Sequence, residues 1–312
     1  MSPATWSRTQ RCKNDAIVRV VIVALAVARR LPGWLLRAAG RALGVMAFAV
    51  AAGARRTALR NVEIAFPELS ARARRARVRR AFATLGGFLG DTVALYDPNE
   101  RAGLSFVGDG RAILEEAHRA GRGVVLITAH FGSWERLAAS LVEQGFPLVT
   151  PVRRSYDPRL EARVHGPLRA RRGVDARDRD DPATARALLR ALGAGKTVGI
   201  LIDLNTRVPS IEVPFFGRAA WTTTAPARLA CATGAPIVAA FATERGIEVS
   251  LVRAPSARSP RAEPETIAAV TEACTAQVEG AIRRAPERWI WMHDRWGPRR
   301  PQVGPKHRSP PG

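Results

Sequence analysis

Short continuous apolar runs recur through the middle of the chain, and stretches of helical spacing separate them. Val124-Val125-Leu126-Ile127 follows Gly123 and runs into Thr128-Ala129-His130. A run of this length, bounded by glycine, is the pattern of a strand buried on both faces, as in a parallel sheet. Pro147–Val152, Thr197–Asp203, Pro236–Ala242 and Ile247–Arg253 repeat it. Between and after them, Arg111–Ala120, Trp134 to about Glu143, Asp181–Leu192 and Glu265–Arg284 carry helical spacing. A further helix follows Thr222–Thr224 and Pro226 and ends near Thr233, where Gly234 supplies the stop. Ser133 is placed to cap the helix opening at Trp134, with Glu135 in its first turn, where the helix dipole favours an anion. Strands alternating with helices predict an α/β fold: a mostly parallel central sheet flanked by helices, starting near Leu104.

The first hundred residues follow another pattern. Ala16–Ala28 is apolar but contains Arg19 and is short for a bilayer span. Its Ala26-Val27-Ala28 leaves a cleavable signal peptide as a competing reading. Trp34 to Ala52 sets Arg37 and Arg41 among Leu35, Leu36, Leu43, Met46, Phe48 and Val50, the make-up of an interfacial helix with snorkelling arginines. Two helices packed on the main domain would look the same. The expected division is therefore an N-terminal membrane-associating helical segment over 1–55, a catalytic domain over 56–297 and a disordered, proline-rich basic tail over 298–312. Within the second part, Pro67–Ser70 reads as a turn and cap. The helix after it carries a solvated arginine face up to Arg80, then Phe82, Leu85, Phe88, Leu89, Val93 and Leu95 as core.

Charge narrows the possible partners. The 49 Lys and Arg against 27 Asp and Glu give a net charge of +22, and only Lys13, Lys196 and Lys306 are lysines. So strong an arginine bias reflects a GC-rich genome as readily as anion binding. The basic surface suits an anionic membrane or a phosphorylated substrate. Sparse aromatics and the absence of zinc-finger, RNP or basic-zipper patterns argue against nucleic acid. Cys12, Cys231 and Cys274 form neither a metal spacing nor an even disulfide framework, which fits a reducing compartment. Gly195-Lys196-Thr197 imitates a P-loop, but Arg190 stands where its first glycine belongs and the helix precedes the strand.

The candidate chemistry lies where the first strand ends. His130 occupies the carboxyl end of that strand, where open α/β sheets bind ligands, and Glu135 follows closely. An imidazole can take a proton from a hydroxyl, while a carboxylate on its other nitrogen fixes the tautomer. Without a serine or cysteine nucleophile paired to it, such a couple points to a nucleophile belonging to the substrate. A structural histidine beside a solvated carboxylate is the competing reading.

The H-x4-E spacing of His130 and Glu135, spelt HFGSWE, resembles the signature of the glycerolipid acyltransferase superfamily. More narrowly it is similar to the late acyltransferases of lipid A biosynthesis (lauroyl and myristoyl transferases), whose motif commonly reads HFGNWE. The blocks ALRNVEIAFPELS (58–70), VPFFGRAAWTTTAPARLACATGAPIVAAF (213–241) and PERWIWMHDRW (286–296) extend the resemblance over nearly the whole chain. It implies an acyltransferase-type αβα fold, with His130 as general base and Glu135 as its orienter. It also implies that Arg153, spaced before Asp157-Pro158 as in that family, holds a phosphate or the thioester oxyanion. Asp203 matches the first residue of the family's D-Q pair, with Leu204 in place of the glutamine, and is either a polar site residue or a turn cap. Phe216, Gly217 and Arg218 read as a wall of the substrate pocket, with Phe215 and Phe216 as core the alternative. The tryptophans around His293 read as packing or as membrane-interface docking. The implied reaction moves a fatty acyl chain from acyl carrier protein or acyl-CoA, as co-substrate, to a glycolipid hydroxyl, most directly on a lipid A precursor. No metal or bound cofactor is called for. The partners implied are a lipid acceptor, acyl carrier protein as donor and the cytoplasmic face of the bacterial inner membrane, with no nucleic acid. Phosphatidylinositol mannosides, lysophospholipids or water as acceptor, or a non-catalytic basic membrane or nucleic-acid binder, are the alternatives.

Overall fold

A computed structural model describes residues 6–298; the expected tail lies outside these residues except for Pro298. Among these residues eight strands form: β1 (Val124–Thr128), β2 (Leu148–Val152), β3 (Asp175–Asp178), β4 (Thr197–Leu201), β5 (Ser210–Phe215), β6 (Arg218–Thr223), β7 (Ile237–Ala242) and β8 (Ile247–Arg253). Six of them build one sheet in the order β3-β2-β4-β1-β7-β8, parallel throughout except for β8, which pairs antiparallel with β7 at the edge. β5 and β6 form a separate hairpin. The sequence pattern anticipates the five apolar strands and misses β3 and this hairpin. Short polar strands such as Asp175–Asp178 carry no apolar run to betray them.

β1 shows why the apolar runs become central strands. All five of its residues are buried. Val125 and Ile127 enter one core, Val124 and Leu126 the other, because successive side chains point to opposite faces. On the Leu126 side the core is completed by α5 (Gly110–Arg119) and α6 (Trp134–Glu143), through Leu114, Leu137 and Leu141. On the Ile127 side α9 (Thr184–Gly193), α10 (Ala225–Thr233) and α11 (Pro264–Arg284) contribute Leu192, Leu229 and Val278. Each such aliphatic side chain contributes about 1.5–3 kcal/mol by leaving water. The parallel arrangement brings the carboxyl ends of β1, β4, β2 and β3 to one edge.

The N-terminal helices are α1 (Arg8–Ala28), α2 (Gly33–Val50), α3 (Ala52–Ala65) and α4 (Ala71–Ala94). α1 starts ahead of the apolar stretch because Ser7 and Gln10 form a reciprocal capping box, each side chain bonded to the other's backbone N–H. α2 lies antiparallel on α4, backbone against backbone. A Cβ on Gly40 would collide with the carbonyl of Gly86, and one on Gly90 with that of Leu36. Leu36, Gly40, Gly44 and Phe48, four residues apart, form the buried stripe of α2. That docking leaves Leu89 of α4 pointing outward, 60% exposed, contrary to its expected place in the core. Arg136 of α6 reaches Asp91 of α4 (3.4 Å) and Glu100 (2.8 Å), and Arg37 of α2 also contacts Asp91 (3.4 Å). The helices of the expected segment 1–55 thus share an interface with the rest of the chain.

Candidate active site

Strand pairing builds the site. β1 and β4 run in parallel register with Thr128 opposite Leu201, and Ile202 N–H donates to the Thr128 carbonyl at 3.1 Å. Two residues further along each strand, the same register sets His130 beside Asp203. The backbone N–H of His130 donates to Asp203 Oδ2 (2.9 Å), and its ring Nδ1 lies 3.0 Å from Asp203 Oδ1. Trp289 Nε1–H donates to Oδ2 at 2.8 Å. Just beyond His130, Gly132 (φ +64°) lets the turn pass tight against β7, where a Cβ would meet the Ala242 carbonyl.

The Asp203 side chain is fully buried. Burial alone would raise its pKa, but the adjoining His130 ring and the hydrogen bonds from His130 and Trp289 outweigh that and hold it below the ordinary carboxylate value. An ionised Asp203 must accept from Nδ1–H, so the hydrogen-bond pattern assigns the tautomer with Nε2 as acceptor. Nε2 has no hydrogen bond among the described residues, and the imidazole is 26% exposed, edge-on to Trp134 at 5.1 Å between centroids. The buried Arg295 adds positive potential at Asp203. Its guanidinium bonds the Trp221 carbonyl and Thr222 Oγ1 and lies over Phe215, and burial pulls its pKa down to about 10.

Glu135 is placed elsewhere than expected. Its Oε1 accepts from Arg169 Nη2 at 2.6 Å, and Asp203, not Glu135, occupies the inner nitrogen of His130. Arg169 lies in α8 (Gly166–Arg171), reached from α7 (Pro158–Leu160) through a π-helical turn (Glu161–His165), so Glu135 ties this stretch to the first turn of α6. Burial works against the Arg169 charge, but Glu135 holds its pKa above the usual value. Ser133 sits at the N-cap position, yet its buried hydroxyl makes no capping bond.

Arg153 lies just past β2, exposed and without a hydrogen bond or ion pair among the described residues. Asp157, in the D-P pair, accepts from the Arg159 backbone (2.9 Å) and pairs with its guanidinium (2.7 Å), so it starts α7. Phe216 is buried in the core, the alternative to a pocket wall. With φ of +53° and Gly217 at +71°, the two residues form the hairpin turn between β5 and β6. The Phe216 ring is buried against Phe66 (5.6 Å) and Trp291 (6.3 Å), under the Arg283 guanidinium (4.5 Å). Gly217 and Arg218 are on the surface at the turn.

Trp289 and Arg295 are the contributors that motif reading missed. Their signal was the dense tryptophan block at 286–296, in which Trp289 and Trp291 are wholly buried. Packing is therefore that block's role, with one indole N–H committed to Asp203. Among the described residues no group of three or more His, Cys, Asp or Glu side chains gathers to hold a metal ion.

The chain matches the profile of a family described as "Bacterial lipid A biosynthesis acyltransferase" over residues 6–297. It is 26% identical over 278 residues to a lipid A biosynthesis palmitoleoyltransferase of Escherichia coli (strain K12), covering 86% of each chain. It is 29% identical over 245 residues to a lipid A biosynthesis lauroyltransferase of the same organism, covering 76% of this chain and 77% of the relative. A lipid A biosynthesis acyltransferase of Shigella flexneri is 26% identical over 278 residues, again with 86% of each chain covered.

Proposed function

Because this chain belongs to the bacterial lipid A biosynthesis acyltransferases, we propose that His130 is the general base of its acyl transfer and Asp203 the group that orients it. One observation carries the assignment: Nδ1 is held by a buried carboxylate while Nε2 is left open at the sheet edge. Nε2 takes the proton of the acceptor hydroxyl as its oxygen attacks the thioester carbonyl carbon. The tetrahedral intermediate collapses with loss of the C–S bond, and the imidazolium returns the proton to the departing thiolate. The products are an ester and a free thiol. Asp203 keeps the productive tautomer and stabilises the imidazolium that forms between the two transfers.

The acceptor is read as a lipid A precursor hydroxyl, in keeping with the names of the relatives. The donor is read as an acyl thioester, acyl carrier protein before acyl-CoA, with no bound cofactor. A surface so basic favours the acidic carrier protein. The membrane face is read as the cytoplasmic one of the inner membrane, and docking on a membrane is supported by apolar side chains left on the outer faces of two helices. Val20, Val23 and Val27 of α1, and Leu43, Met46 and Val50 of α2, are exposed at helical spacing. α2 is also apolar and long enough to span a membrane, with mean hydropathy 1.2 over 18 residues. Its opposite face is the glycine stripe against α4, which supports a helix lying on the surface.

Transfer of radiolabelled acyl chain from acyl carrier protein to a lipid A precursor, compared between the wild type and His130→Ala, tests this reading. Label should enter the glycolipid only with the wild type. Transfer by both proteins would remove His130 from the role of base. Transfer by neither, with label recovered on a mannosylated phosphatidylinositol, on a lysophospholipid or as free fatty acid, would identify a different acceptor.

A further inference from the structure

Arg295 is fully buried, yet it makes no ion pair among the described residues. Two neutral oxygens of β6, the Trp221 carbonyl and Thr222 Oγ1, hold its guanidinium, and its Nε is buried without a hydrogen bond. One wall of its cage is the Phe215 ring, whose centre lies 5.0 Å from the guanidinium. The same ring is 5.8 Å from that of Trp289, whose indole N–H bonds Asp203. The other charged groups of this region are committed elsewhere. Asp294 pairs with Arg60 of α3, and Glu279 of α11 accepts from the Phe216 N–H (2.6 Å) and from Arg283 (2.8 Å). His293 Nε2 lies 3.2 Å from the Asn205 carbonyl, and Arg288 turns to the Ala242 carbonyl and Glu244. On the His130 side, Glu135 is held by Arg169. Asp203 is the fully buried carboxylate that remains, and its charge favours the Arg295 cation against burial.

A buried carboxylate needs a positive charge, and two groups can supply it at Asp203. Without Arg295 that charge falls to the imidazolium of His130, and a protonated ring cannot take a proton from a hydroxyl. With Arg295 in place, the interior holds one negative and one positive charge while His130 stays neutral. Inside the protein such a pairing acts across several ångströms that water would screen. We propose that Arg295 is a positioning residue for the acyl transfer, the standing countercharge that keeps Asp203 ionised beside an unprotonated His130. It touches neither substrate nor the reacting atoms. It acts through Asp203 on how readily His130 Nε2 holds a proton. Its consequence for rate rests on His130 being the general base, as read above; the charge coupling does not.

The ring itself is the first readout. In protein carrying isotopically labelled histidine, the His130 signal, identified by its loss in His130→Ala, should titrate roughly 0.5–1 higher in pH in Arg295→Gln than in the wild type. Arg295→Lys, which keeps the charge and loses the fork, should return most of the way. Thr222→Val removes an anchor of the same guanidinium but keeps the cation, so it should lower the Tm and leave the titration in place. An unmoved titration in Arg295→Gln, or an equal move in Thr222→Val, would overturn the role. If Arg295→Gln does not fold by itself, adding Asp203→Asn, which removes both charges, should recover a folded protein. A double variant as unfolded as the single one would refute the pairing.

The second readout is the pH profile of transfer. The acid limb of kcat/KM should follow the ring, so Arg295→Gln should lose roughly 3- to 10-fold at acid pH, with the loss shrinking as pH rises. A loss of the same size at every pH would make Arg295 a structural residue only. If transfer survives His130→Ala while the ring titration follows Arg295, the general-base reading fails and the countercharge stands.

Discussion

The two halves of the sheet's carboxyl edge treat charge in opposite ways. At β1 and β4, Asp203 is buried and saturated by the His130 backbone, the His130 ring and the Trp289 indole. At β2 and β3, Arg153 has no partner among the described residues and Arg179 has a weak, exposed one in Asp180. The first half is complete before substrate arrives. A charged group placed this way needs no reorganisation during reaction, which is the condition for efficient electrostatic and proton-transfer catalysis. The second half is left incomplete. Charge that the protein does not neutralise is charge available to a ligand. Fixed chemistry thus adjoins open recognition, and perturbing each half should have a different signature.

The largest effect belongs to His130. His130→Ala should lower kcat about 10²–10⁴-fold but cost only about 1.5–3 kcal/mol of stability, the loss of one hydrogen bond to the buried Asp203, because the ring is partly exposed and supports little packing. Steady-state transfer kinetics with thermal melts will show whether rate and fold separate in this way.

Asp203 should come next, and its comparison with Glu135 sharpens the contrast. Asp203→Asn substitutes a neutral amide under the imidazole and should cost roughly 10²-fold or more in kcat. It should also change the response of stability to acid. The folded pKa of Asp203 lies below its ordinary value of 3.8, so its contribution is fully present above that value and is lost as pH falls through the lower, folded one. In denaturant unfolding from pH 7 down to pH 3, the stability gap between wild type and Asp203→Asn should therefore narrow at the acid end. Glu135→Gln should behave differently. Its partner is Arg169, so it should raise KM and leave the pH dependence of kcat in place. A shift of that pH profile by Glu135→Gln, and not by Asp203→Asn, would reverse the assignment of the orienter.

Smaller losses follow further out. Trp289→Phe removes one hydrogen bond to a buried carboxylate and should cost about 1.5–3 kcal/mol of stability. If the bond acts in the transition state and not in the ground state, roughly 10- to 100-fold in kcat goes with it. Arg218→Gln, at the exposed hairpin turn, should leave KM within error and stability within about 0.5 kcal/mol. A clear rise in KM for the glycolipid would restore that turn to the substrate pocket.

Much of the fold was legible because its signals are local. The apolar runs at Val124–Thr128 and Ile237–Ala242 are long, continuous and bounded by breakers, and they became central strands. Gly234 stops α10 in the left-handed conformation that its position after Thr233 suggested. Other features could not be read in this way. Phe216 belongs to a hairpin whose turn residues are not the usual Asn-Gly or Asp-Gly, and its aromatic neighbours come from distant stretches such as Phe66 and Trp291. Leu89 fits a core stripe by spacing, but the glycine face of α4 meets α2 instead and turns it outward.

The site divides along the same line. The sequence by itself placed His130 at a strand end, opened a helix at Trp134 and put Asp203 at the end of another strand, since each follows from a few neighbouring residues. Which carboxylate meets the imidazole was decided only by the sheet. Five residues of sequence separate Glu135 from His130, and 73 separate Asp203 from it. Yet β4 is the neighbour of β1, and their register sets Asp203 against Nδ1 while Glu135 is drawn to Arg169 on α8. Strand order and register are set by the burial of whole faces across the molecule. No local spacing encodes them.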